Sequence, residues 1–145
     1  MSILFLFFIK LELGGGMKAI CVRQPWASLI AAGKKTIETR TWQAKFRGEL
    51  LIVASLQPDK HALRIFKGDL QLPLGQAVAV VRVVDCRLMT CKDEAAACCD
   101  VYEGAWAWIL EDIRAIQPFP LKGRLGIFEV SGHQRIYCPT NPICR

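Results

Sequence analysis

Apolar positions along this chain come in short runs whose period changes from one run to the next. Residues 18–23, Lys-Ala-Ile-Cys-Val-Arg, read as a first strand. Trp26, Leu29 and Ile30 then fall at helical spacing behind Gln24-Pro25, with Pro25 at the first helical turn, where its missing N–H costs nothing. Gly33 stands just past the last apolar residue and predicts the helix stop, because glycine takes the left-handed conformation at little steric cost. From there the period is two. Thr36, Glu38, Arg40 and Trp42 point one way from a strand, and Lys35, Ile37 and Thr39 the other. Lys35 lies at the joint between turn and strand, so the alternation leaves its direction open.

Phe46-Arg47-Gly48 predicts a turn into residues 49–55, a nearly continuous apolar run that suits a strand buried on both faces. Ser55 ends that run as a cap, a turn residue or a pocket-lining hydroxyl. Residues 58–67 suit a short helix, 68–75 a loop, and 76–89 a long β-branched strand. Thr90 with Asp93 three residues on reads as an imperfect capping box, with Glu94 in the first turn of the helix that follows. A strand over 105–110 is expected to end in the polar stretch 111–114 and to be broken by Gln117-Pro118-Phe119-Pro120. A basic glycine turn, 122–126, precedes a last strand over 127–130.

These elements predict a mostly β (α+β) fold: a small antiparallel β-barrel of five to six strands with two to three short helices on its rim. The domain is expected to run from Met17 to residue 131. Residues 1–16 are apolar but lack a basic leading region and a small-x-small cleavage site, so they read as an extension outside the domain. An extra edge strand or an interface segment is the alternative, since an exposed run such as 3–9 is adhesive. Residues 132–145 carry no periodicity and are expected to be a loose tail.

The length of 145 residues suits one domain that needs no staples. Although 52% of residues are hydrophobic, no apolar run reaches eighteen, so no membrane span is expected. The net charge of +6 and pI of about 9.1 are compatible with an anionic partner such as nucleic acid or a nucleotide. Seven scattered cysteines without a Cys-x-x-Cys pair, and two distant histidines, give no zinc pattern. The expectation is a reduced, cytoplasmic protein with no metal and no cofactor. No dinucleotide fingerprint, phosphate loop or nucleophile elbow occurs.

Candidate chemistry concentrates in residues 33–40, where four charges fall within eight residues. Glu38 and Arg40 suit either a solvated strand face or a site. The wider set decides between them: Gln24-Pro25-Trp26-Ala27-Ser28-Leu29-Ile30, Gly33-x-Lys35-x-x-Glu38-x-Arg40, Arg47-Gly48, Ala54-Ser55, Trp108-x-Leu110 and Lys122-Gly123-x-x-Gly126. Together these resemble the ASCH (activating signal cointegrator homology) family over about residues 17–130. Val53 stands where many members carry a histidine before the Ala-Ser pair.

The resemblance implies a PUA-like barrel that binds RNA or a related nucleic acid or nucleotide in a cleft. That cleft would hold Lys35, Glu38 and Arg40, with Gln24, Trp26, Lys34, Arg47 and Ser55 contributing. Arg23, Lys34, Lys45, Lys122 and Arg124 would widen its basic surface. A second implication is enzymatic. One branch is similar to an amidohydrolase of N4-acylated cytidines that uses a lysine, a threonine three residues on and a downstream glutamate. Here these positions carry Lys35, Glu38 in place of the threonine, and Glu94 as the nearest carboxylate. A ribonuclease is a third implication. Non-catalytic binding is the reading favoured over both, with RNA, single-stranded nucleic acid or a modified nucleoside as partner.

Overall fold

The apolar run around 49–55 is the interior strand of the sheet because both of its faces need cover. The computed structural model describes residues 8–12, 16–131 and 135–139. In it, β4 (Gly48–Ala54) runs parallel to β2 (Met17–Val22) and antiparallel to β5 (Gln76–Leu88). Leu50, Ile52 and Ala54 enter one core with Ile20, Val22, Val81 and Val83. Leu51 and Val53 enter a second core with Met17, Ala19, Val80 and Ile116. Successive side chains of a strand leave by opposite faces, so a continuous apolar run demands two apolar layers. The first layer is closed by α1 (Trp26–Ala31), which buries Ala27 and Ile30 against the sheet.

The remaining main-sheet strands are β3 (Ile37–Arg40), β6 (Trp106–Pro120) and β7 (Ile127–Val130), in the order β3-β6-β5-β4-β2-β7. The strand-rich class with three short helices matches expectation. The closed antiparallel barrel does not. Among the described residues the ladder ends at β3 on one side and at β7 on the other, and the β2–β4 pair is parallel. The physical reason is the connection: α1 and β3 lie between β2 and β4 in sequence, a crossover that returns the chain in the same direction.

Two further expectations change. The polar stretch 111–114 does not end a strand; β6 runs on for 15 residues against β5. Register shifts along the pair and a positive φ of 47° at Asp112 absorb the misfit, as bulges do. The chain ends also differ. Phe8–Glu12 (β1) pairs antiparallel with Arg135–Pro139 (β8), and Ile136 is buried in the second core. The segment expected as a loose tail therefore carries a strand that covers the outer face of the sheet. The rest of the two expected end segments, residues 1–7, 13–15, 132–134 and 140–145, lies outside the described residues. Among the described residues no helix is long and apolar enough to cross a membrane.

After β5 the chain makes the capping box foreseen at Thr90. A 3-10 turn (Cys91–Asp93) leads into α3 (Glu94–Ala97). Buried Asp93 accepts from the Thr90 backbone N–H at 2.8 Å and takes both Arg87 Nη atoms at 2.8 Å each. The Arg87 fork, helped by the Thr90 N–H, holds the Asp93 carboxyl well below the usual carboxylate range. Such a depressed group contributes stability that is full above the ordinary carboxylate pKa and is lost as pH falls through its lower folded value. Asp93→Asn is expected to cost about 1–3 kcal/mol at neutral pH. The gap between variant and wild type should narrow below about pH 4 in urea titrations.

Candidate functional site

The helix stop at Gly33 sets the direction of Lys35. Gly33 has a φ of +73°, its N–H bonds to the Ile30 carbonyl at 2.9 Å, and the Lys34 N–H bonds to the Leu29 carbonyl at 3.0 Å. That pair of bonds is a Schellman motif. The Lys35 N–H also reaches the Leu29 carbonyl, at 3.1 Å, so the chain turns sharply and Lys35 enters the protein. Its side chain is only 2% exposed. Nζ donates to the Ala97 carbonyl at 2.5 Å, lies 4.0 Å from Glu38 Oε1, and sits 5.3 Å from the centre of the Trp26 ring. A buried ammonium needs this surround of carbonyl, carboxylate and π face.

Antiparallel pairing of β3 with β6 places Glu38 opposite Trp108 and Arg40 opposite Trp106. Glu38 is 6% exposed. Its Oε1 accepts the Thr39 backbone N–H at 2.6 Å, whereas its Oε2 is buried with no hydrogen-bond partner among the described residues. Arg40 Nη2 stands 4.0 Å from that orphan oxygen and donates instead to the Cys21 carbonyl at 2.5 Å. Full pairing is the rule for buried polar atoms, so a buried carboxylate oxygen without a donor marks a place where a donor is missing.

Glu38 lines a cavity of about 560 Å³, together with Lys35, Thr39 and Arg40. That volume falls in the range of small-molecule sites, about 300–1,000 Å³. Trp26 forms a wall, held by a 3.3 Å bond from its indole N–H to Asp59. Asp59 caps α2 (Lys60–Ile65), and the Ala62 N–H, ahead of the Trp26 indole, draws its carboxyl below the usual range. Cys21 lines another side. Burial pushes its thiol up, against the opposing pull of the Arg124 backbone N–H and the Arg40 charge. Gly123 packs so closely on Cys21 Sγ that no Cβ fits between them, and this brings the 122–126 loop to the cavity mouth. Arg23, Tyr102, Arg124 and the fully exposed Leu125 complete the rim.

Of the residues singled out from sequence, Trp26, Lys35, Glu38, Arg40 and Ser55 line this one cavity. Gln24, Lys34, Arg47 and Glu94 do not. Gln24 is fully buried, and its amide is used up by the Ser28 hydroxyl, the Ser28 N–H and the Pro73 carbonyl. It pins the 68–75 loop to α1. Lys34 is exposed, and Arg47 pairs with Asp85 at 3.5 Å. Glu94 opens α3, the structural role already read for it. Asp59, Tyr102, Cys21 and Cys99 line the cavity without having been singled out. Arg23 and Arg124 had been placed only on a wider basic surface. No sequence spacing links residues so far apart. Among the described residues no group of three or more His, Cys, Asp or Glu is placed to hold a metal ion.

Because a Cβ at residue 33 would meet nothing within 4 Å, Gly33→Ala tests the backbone alone. The left-handed conformation should cost alanine about 1–2 kcal/mol, read in urea titrations. Gly33→Asn should cost less, since asparagine tolerates that conformation.

No curated protein matches the chain. The solved structure of ASCH from Zymomonas mobilis is similar to it, with a TM-score of 0.58 at 15% identity over 79% of this chain and 87% of that one. Two single-substitution variants of that bacterial protein align with TM-scores of 0.54 and 0.51, each at 14% identity and over 79% of this chain. They cover 90% and 88% of those two chains. At such identities the likeness speaks for the fold. The family assignment comes from the ASCH domain model, which matches residues 20–120 and so takes in the end of β2, α1, β3 and the Lys35–Glu38–Arg40 set: this chain belongs to the ASCH domain family.

Proposed function

We propose that this protein binds RNA or a related single-stranded nucleic acid or nucleotide, with a base entering the cavity between α1, β3 and the 122–126 loop. The observation that carries this reading is Glu38 Oε2, buried and without a hydrogen-bond partner among the described residues, on a side chain that lines the cavity. An amino or imino N–H on a base edge supplies the missing bond. Trp26 and Tyr102 offer aromatic surface for the ring, and Arg23 and Arg124 at the mouth suit phosphate. Lys35 Nζ stands 4.0 Å from the other carboxylate oxygen, Glu38 Oε1.

The alternative is a small amidohydrolase of N4-acylated cytidines, or a ribonuclease. Lys35 and Glu38, 4.0 Å apart in one cavity, favour it. Against the amidohydrolase stands Glu94, whose carboxylate would relay the proton but which does not line the cavity. Release of acetate from N4-acetylcytidine should be absent even where cytidine binds. Turnover that disappears in Lys35→Ala would replace the binding reading with catalysis.

Binding is tested with Glu38→Gln and Arg124→Ala against nucleosides and short RNAs, with thermal melts to confirm folding. Glu38→Gln should lose about tenfold or more in affinity, the worth of a hydrogen bond to a charged group. Exposed Arg124 can be truncated without touching the core, and its loss should flatten the salt dependence by about 0.7 in log–log slope. Unchanged affinity in both variants would remove the cavity from the function.

A further inference from the structure

A second hollow adjoins the first. It measures about 450 Å³ and is lined by Arg23, Leu56, Gln57, Pro58, Asp59 and Lys60. Arg23 and Asp59 belong to both hollows, so they meet at a shared wall. We infer that the ligand is a single-stranded oligonucleotide and not a lone nucleoside. One base sits in the Glu38 cavity, the linking phosphate lies on Arg23, and the neighbouring nucleotide occupies the hollow beside residues 56–60. This rests on the nucleotide-binding reading above and adds to it a polymer ligand and a second subsite.

Charge and chemistry across the two hollows agree. Arg23 and Lys60 are exposed, and among the described residues no hydrogen bond or ion pair engages either side chain. Two uncommitted cations along one hollow suit a phosphodiester backbone better than a neutral ligand. The carboxylate between them is already engaged: Asp59 accepts from the Ala62 N–H at 2.9 Å and from the Trp26 indole at 3.3 Å. Leu56 is 74% exposed, an apolar surface at the hollow against which a sugar or base can lie. Gln57 adds an exposed amide able to donate and accept. Asp59 lines both hollows and, through its bond to Trp26, joins the wall of the first to the second.

The test is calorimetric titration of the full chain with the four ribonucleosides, their 3′-monophosphates and the sixteen dinucleoside monophosphates. Wild type and Lys60→Ala are compared at two salt concentrations. Wild type should bind its best dinucleoside monophosphate about tenfold more tightly than the matching nucleoside, with a salt slope steeper by about 0.7 per phosphate contact. In Lys60→Ala, which lies outside the first cavity, that gain should shrink to about threefold or less. Dinucleotides no tighter than nucleosides, with nucleoside binding intact, would overturn the second subsite and leave the first standing. A gain equal in wild type and Lys60→Ala would likewise overturn it. Absence of binding by every probe would remove both readings.

Discussion

An ammonium and a carboxylate buried side by side set the terms for everything around them. Removing such ions from water costs several kcal/mol apiece, about the size of a domain's whole stability when uncompensated. Lys35 is compensated by the Ala97 carbonyl, the Glu38 charge and the Trp26 face. Each of these partners is in turn held from elsewhere. The Ala97 carbonyl closes α3, and Ala97 packs with Ile37, Met89, Ala105 and Ala107 in a small third core. Trp26 is tied to the cap of α2 through Asp59. Glu38 is fixed by β3 on β6. Segments from three parts of the chain, α1, β3 and α3, thus converge on one lysine.

Two buried polar side chains differ in how fully the fold pairs them. Gln24 and Glu38 are both nearly inaccessible, and both lie within the residues that the ASCH domain model matches. Gln24 has a partner for its carbonyl and two for its amide group, so it rigidifies without inviting a ligand. Glu38 has one oxygen satisfied and one left over. An incompletely paired buried carboxylate lowers stability. Completeness of hydrogen bonding, more than burial, separates the two.

Much of the architecture could be read from local pattern. The Gly33 stop, the doubly buried strand after Gly48, the Thr90 box and the long β-branched β5 each follow from a rule that acts within a few residues. The misreadings share one cause. Polar residues 111–114 look like a strand end, and residues 135–139 look like tail, until long-range partners are known. Alternation and turn chemistry report on neighbours in sequence, whereas pairing with β5 or β1 reports on neighbours in space.

By itself the sequence determined that Glu38 and Arg40 share a short strand just after a glycine stop and Lys35, that the chain is strand-rich, and that it matches the ASCH domain model. Tertiary structure alone decided that the sheet stays open, that Lys35 is buried on the Ala97 carbonyl, and that Gln24, Lys34, Arg47 and Glu94 stand apart from the cavity. It also brought Asp59, Tyr102 and Arg124 to that cavity's walls. The physical reason is range. Backbone propensity and side-chain period act over a turn or a strand pair, while a cavity is enclosed by segments whose meeting depends on how the whole sheet is ordered.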